Sequence, residues 1–223
     1  MKKLTMIILV VLGFAFTTFA NHSVNMKVGV CIPYQNSDLW EINRGNLAFN
    51  KSDMVDIYYA GEYEYLLTKH FTLSLEGGVY NQEVYTAYRD WEYEDGGLIQ
   101  QNLALRITSV ELAFKLYPLG HRRALYPYLA GGPGVYFWKY EQWGDFIDTV
   151  EGTVEPGYAD TSRVALGFHG RAGLVFRVSR NTGLSLEGKY LYLKDNLSDR
   201  FQDFEKLDMT ALSFNIGVHF FLW

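Results

Sequence analysis

Charged residues at strand-like spacing are the first feature of this 223-residue chain that could do chemistry. Lys27, Glu62, Glu76, Glu111, Lys115, Arg171, Arg177, Glu187 and Lys189 each sit where neighbouring positions are apolar or small, so they fall on the polar face of a pleated segment. Asp56, Glu64, His169 and His219 share that placement. Two chemistries are open to such a set. Opposed charges packed into a narrow lumen must pair, because an isolated buried charge is very costly, and they would then form a salt-bridged plug. Left apart, they would line a narrow ion pathway. Catalysis would need a nucleophile with its base, or a metal cluster. His169 and His219 lie mid-strand with no Ser partner that spacing could place beside them, and the chain has no HExxH, no GxSxG and no Gly-rich phosphate loop opening a helix. Neither a catalytic residue nor a cofactor is expected.

A second set is acidic. The stretch from Glu141 to Thr161 carries Glu141, Asp145, Asp148, Glu151, Glu155 and Asp160 without a Lys or Arg. Asp145, Asp148, Glu151 and Glu155 are its candidates for holding a divalent cation, since hard cations take carboxylate oxygens. The alternative is a solvated, charge-repelling rim. Asp90, Glu92, Glu94, Asp95, Asp199, Asp203 and Glu205 extend the acidic character, and Trp40, Trp91 and Trp143 lie among these residues.

The elements that must position both sets are strands. From Val164 to Val178 apolar or small residues alternate with polar ones. Arg180 to Gly183 then supplies turn chemistry, and Leu184, Leu186, Gly188, Tyr190 and Tyr192 alternate with Ser185, Glu187 and Lys189. Strands of soluble proteins usually run about 5 or 6 residues, whereas a tilted strand crossing a bilayer needs about 9 to 11. The first strand of this hairpin is of the longer kind, and its uncharged face suits a lipid-facing wall with Leu174 and Leu186 outward.

The same alternation predicts strands near 24–33, 54–67, 71–85, 107–117, 125–140 and 212–222. Residues 35–52, the polar stretch after Tyr85, 141–161 and 195–208 read as loops. Gly131, Gly132, Pro133 and Gly134 predict a bulge or kink in the fifth strand, because Pro cannot donate to a ladder. Connections alternate, with turns at Thr68–His70, Pro118–Arg123 and Arg180–Gly183 and long loops elsewhere. In a closed up-and-down barrel this puts the loops at one rim and the turns with both termini at the other. The expected fold is all-β, an eight-stranded antiparallel up-and-down transmembrane β-barrel. The soluble lipocalin alternative inverts which face is outward.

Residues 1–20 read as a cleaved secretory signal peptide: Lys2 and Lys3 form the basic region, Leu4 to Phe16 the apolar region, and Thr18 and Ala20 precede the cleavage site. Residues 21–223 are then one barrel domain. Losing Lys2 and Lys3 takes Lys plus Arg from 20 to 18 against 25 Asp plus Glu, a net charge of −7, which disfavours a nucleic-acid partner. Cys31 is the only cysteine, so no intrachain disulfide can form. The aromatic content of 17%, rich in Tyr, suits a wall with oily and wet ends.

With the signal peptide and eight amphipathic strands, the PYLAGGPGVYF stretch at 127–137, the SLEGKYLYL stretch at 185–193 and the C-terminal FFLW resemble the small outer-membrane β-barrel proteins of Gram-negative bacteria, the group containing the OmpA barrel, OmpX and OmpW. The resemblance covers the mature chain. It implies an outer-membrane location, lipids and lipopolysaccharide as surroundings, and engagement of the assembly machinery by the C-terminal strand. Trp223 departs from the pattern, being out of phase with Val218, Phe220 and Leu222. The implied function is non-enzymatic, with acidic extracellular loops meeting a surface partner. A narrow OmpW-like pore is the alternative, followed by a lipid-modifying enzyme.

Overall fold

The computed structural model describes residues 22–121, 123–148, 152–197, 201 and 204–222, so the expected signal peptide and Trp223 lie outside the described residues. Eight strands form a ring: β1 (His22–Pro33), β2 (Asp56–Leu66), β3 (Phe71–Glu92), β4 (Leu98–Leu116), β5 (Leu125–Asp148), β6 (Thr153–Arg177), β7 (Thr182–Tyr192) and β10 (Ala211–Leu222). Each pairs antiparallel with two neighbours, in the order β1-β10-β7-β6-β5-β4-β3-β2. The short β8 (Lys194–Asn196) and β9 (Lys206–Asp208) pair with each other. No helix among the described residues is long and apolar enough to cross a membrane.

The three expected turns lie at one rim, and the other rim differs from expectation. The stretch after Tyr85 continues as strand, β3 pairing with β4 from Phe71↔Leu116 as far as Glu92↔Leu98, with an irregularity between Ala87 and Glu92. Within the expected acidic loop at 141–161, residues 141–148 and 153–161 are also strand, β5 pairing with β6 from Leu125↔Phe176 to Asp148↔Thr153. The long connection after β1 is not structureless, for it holds helix α1 (Asp38–Asn46) and a 3-10 turn at Lys51–Met54. Asp38 and Glu41 in the first turn of α1 and Arg44 in the last suit its dipole.

No bulge interrupts β5 at Pro133. Glu111↔Gly134 and Phe114↔Gly131 keep one register, and pairing with β4 lapses only at the two positions between. Pro133 has no N–H to give. Gly132 is required there, since a Cβ would run into the Leu112 carbonyl.

An apolar belt rings the outside. Leu75 and Val79 on β3, Val110 and Leu112 on β4, Leu129 and Phe137 on β5, Val164 to Phe176 on β6 and Leu184 to Tyr192 on β7 expose alternate side chains, with Leu174 44% and Leu186 57% exposed. From Leu184 to Tyr192 is nine residues, a length that spans a bilayer's hydrocarbon when tilted. The belt stops along one row, Val79↔Thr108, Thr108↔Phe137 and Phe137↔Val164. Beyond it the same outward positions are Asn81, Glu83, Arg106, Lys139 and Asp160.

Candidate functional site

Inside the belt the inward positions bring the predicted charges together. Cross-strand pairing sets Glu62 beside Glu76 and Glu76 beside Glu111, three carboxylates abreast on β2, β3 and β4. Like charges directly opposite are destabilising. The strain is relieved across the lumen, where Arg171 and Lys189 stand abreast on β6 and β7. Arg171 Nη1 lies 3.1 Å from Glu62 and 2.7 Å from Glu76, and its Nη2 lies 2.6 Å from Glu111. Lys189 Nζ lies 2.6 Å from Glu111 and 3.2 Å from Glu76. Lys115 Nζ joins Glu62 at 2.7 Å and Glu64 at 2.5 Å. These side chains are almost wholly removed from solvent.

Glu62, Glu76 and Glu187 form the one group of potential metal ligands found among the described residues. Its centre is taken by the Lys27 ammonium, 2.9, 2.7 and 2.8 Å from the three carboxylates. A divalent ion would have to displace an amine already held by three charge-assisted bonds. Arg177 stands apart from this cluster, contrary to expectation. It lies at the turn rim, donating to the His121 carbonyl at 3.1 Å and stacked on Phe221 at 4.5 Å, because its place at the end of β6 is too far along the strand to reach the acidic wall.

Two groups the sequence reading passed over complete the network. Tyr128 donates to Glu187 at 2.7 Å, and Tyr58 takes a bond from Lys189 at 3.0 Å while donating to Glu76 at 3.2 Å. Their parity was the available signal: both sit on the inward register, although aromatics in such strands read first as girdle residues. His169 lies 3.4 Å from Glu111, inside the cluster, and His219 is stacked on Phe221 below it.

Above the charges the interior turns apolar. Leu103 and Leu105 of β4 and Trp138 and Tyr140 of β5 point inward and are buried against Leu39 and Trp40 of α1, Leu47, Phe49, Met54, Leu207 and Met209. Trp40 Nε1 donates to the Asp208 carbonyl at 3.1 Å, and Asn43 donates to the Tyr140 hydroxyl at 2.8 Å, so α1 is fixed to the connection after β7 and to the β5 wall. A cavity of about 30 Å³, lined by Tyr58, Glu111, Tyr136 and Lys189 below and Leu191 and Met209 above, separates the layers. That is room for one or two waters.

Among the described residues the acidic candidates are not gathered into one group of potential metal ligands. Asp145 and Glu155 lie on opposite faces of the β5–β6 hairpin, because Glu155 pairs with Phe146, the residue after Asp145. Asp145 neighbours Tyr93 and helps raise its pKa, Asp148 pairs with Thr153, and Glu151 lies outside the described residues. The outer face carries a charge ladder instead: Arg106 lies 2.9 Å from Glu83 and 3.6 Å from Glu141, and Lys139 lies 2.8 Å from Glu141 and 3.3 Å from Asp160. Desolvation pushes the Glu141 carboxyl up, but bonds from Lys139 and Tyr158 outweigh it and hold its pKa below the usual carboxylate value.

Known proteins fit this geometry. The family model described as outer membrane protein beta-barrel domain matches residues 6–220. Among solved structures, the outer membrane protein OprG of Pseudomonas aeruginosa is 12% identical over 90% of this chain and 95% of that one, with a TM-score of 0.58. Neisserial surface protein A is 10% identical over 90% and 97%, with a TM-score of 0.49. At such identities the likeness to OprG speaks for the fold. Comparison with curated proteins finds no match.

Proposed function

The chain belongs to the outer membrane protein beta-barrel domain family and resides in the Gram-negative outer membrane, and on that premise we propose that it is a non-enzymatic, non-conducting barrel that works through its loop rim. One observation carries the reading: the lumen is occupied at two successive levels, first by a charge cluster whose members have essentially no solvent exposure, then by the apolar cap around Trp40. An eight-stranded barrel is only wide enough for side chains to fill it. Function then falls to the parts a rigid scaffold presents, here the β3–β4 and β5–β6 hairpins rising above the belt and the connections packed between them.

In this reading the three turns face the periplasm and the hairpin tips face outward, where Asp90, Glu92, Glu94 and Asp95 meet lipopolysaccharide or a surface partner. The C-terminal strand serves assembly. Single-channel recording of the refolded protein in a planar bilayer tests it. The expected result is no stable conductance, and a large, steady one replaces the reading with a pore. Cysteines placed at 93 and 182 should label from opposite sides of the membrane in cells; labelling of both from outside removes the orientation.

A further inference from the structure

Beside the cap, where the β5–β6 hairpin rises past α1, the loop rim contains a cleft of about 410 Å³. That is within the span of small-molecule sites, which favour the mouths of barrels. Its walls are Leu39 of α1, Phe146 of β5, and Phe201 and Phe204 from the connection after β8. These walls are fixed. Phe201 is buried and meets Tyr140 edge to face at 5.5 Å. Phe146 lies against the backbone of β6 because residue 157 is glycine: a Cβ there would come within 2.6 Å of the ring.

The charged group among the lining residues is Glu155, at the exposed edge of the cleft, with Asn43 and Gln142 as neutral polar neighbours. It pairs with Phe146 across the hairpin and so shares its inward face. Among the described residues no Lys or Arg forms an ion pair with it, whereas Glu141 and Asp160 on the same hairpin are both engaged by Lys139. A cleft with several phenyl faces and, among the described residues, one carboxylate outside any ion pair selects by chemistry. The rings take an apolar body, the carboxylate takes a positive head, and a cation over phenyl rings is attracted again by their quadrupoles. An anion would meet repulsion from Glu155 and lose hydration besides.

We propose that this cleft binds a small organic cation, an amine carried on an aryl or short alkyl body, with Glu155 as its counter-charge and Phe146, Phe201 and Phe204 as its walls. The proposal rests on the loop rim being the interaction face, but its readout is separate from conductance. A protein that conducts and still binds the amine keeps this site and loses the closed-barrel reading, while a silent protein that binds nothing does the reverse.

The test is calorimetric titration of the refolded full-length protein, in non-ionic micelles, with phenethylamine, phenethyl alcohol and 3-phenylpropionate. The amine should bind at least about tenfold more tightly than the alcohol, a factor equivalent to about 1.4 kcal/mol, and the carboxylate should not bind. Glu155→Gln should bring the amine down to the alcohol's affinity and leave the alcohol unchanged. Gly157→Ala, which displaces the Phe146 ring, should weaken both. Equal binding of amine and alcohol, an amine affinity indifferent to Glu155→Gln, or no binding of any probe by folded protein would each overturn the proposal. Displacement of the amine by a cationic peptide at lower concentration would instead move the site to a protein partner, and that too overturns it.

Discussion

Above and below the row through Val79, Thr108, Phe137 and Val164, the same four strands obey opposite rules. Below it β4 points Val110, Leu112 and Phe114 outward and Glu111 and Lys115 inward; above it the strand points Gln100 and Arg106 outward and Leu103 and Leu105 inward. No register slip separates the halves, for β4 keeps one parity throughout. What changes is the solvent. Hydrocarbon bathes the lower wall, so charge must be enclosed and paired. Water bathes the upper wall, so the ordinary arrangement of an apolar core under a polar surface returns.

The difference can be broken at each level. The largest effect should come from Arg171→Met, which leaves Glu62, Glu76 and Glu111 abreast without their common partner; losing one member of a buried ion pair costs about 3 to 5 kcal/mol. Arg106→Met, in the half-exposed ladder above the belt, should cost under about 1 kcal/mol. Guanidinium unfolding of the two variants in micelles makes the comparison, and equal midpoints would mean the lumen charges are solvated. In the upper interior Trp40→Ala removes a fully buried side chain, at about 3 to 5 kcal/mol. That loss should appear as faster amide exchange in residues 34–55, with β1 and β7 protected as before.

A charge on the outer wall should discriminate by height. Leu174→Arg or Leu186→Arg, in the belt, should cost about 2 to 4 kcal/mol. Gln100→Arg, on the outward face above it, should change stability by no more than about 0.5 kcal/mol. If all three fold equally well, the belt is misplaced. The smallest effect concerns pH. Because the pKa of Glu141 is depressed in the folded state, its bonds to Lys139 and Tyr158 contribute above the ordinary carboxylate range and are lost as pH falls through the folded value. Its cationic partners Lys139 and Arg106 are 36% and 50% exposed, so Glu141→Gln should remove less than about 1 kcal/mol at neutral pH and close that gap in acid. A gap that widens in acid would contradict the sign.

Period-two alternation, the three turns and the parity of the charged residues were legible in the chain, and with them the ring of strands, the outward Leu174 and Leu186 and the inward Lys27, Glu76 and Glu187. Those features depend only on a residue's neighbours along one pleated strand. Three things were decided by the tertiary structure. The ribbons above the belt read as loops because alternation is recognised by its contrast, and at Thr108 the contrast reverses sign and blurs over the turnover. Helix α1 is too short to stand alone in water, and it holds because Leu39 and Trp40 enter a core assembled from β4, β5 and the connection after β7. Which charges meet depends on the width of the barrel and the height of each residue within it. Lys27 therefore reaches three carboxylates on three other strands, while Arg177, equally basic and on the same strand as Arg171, turns to the rim.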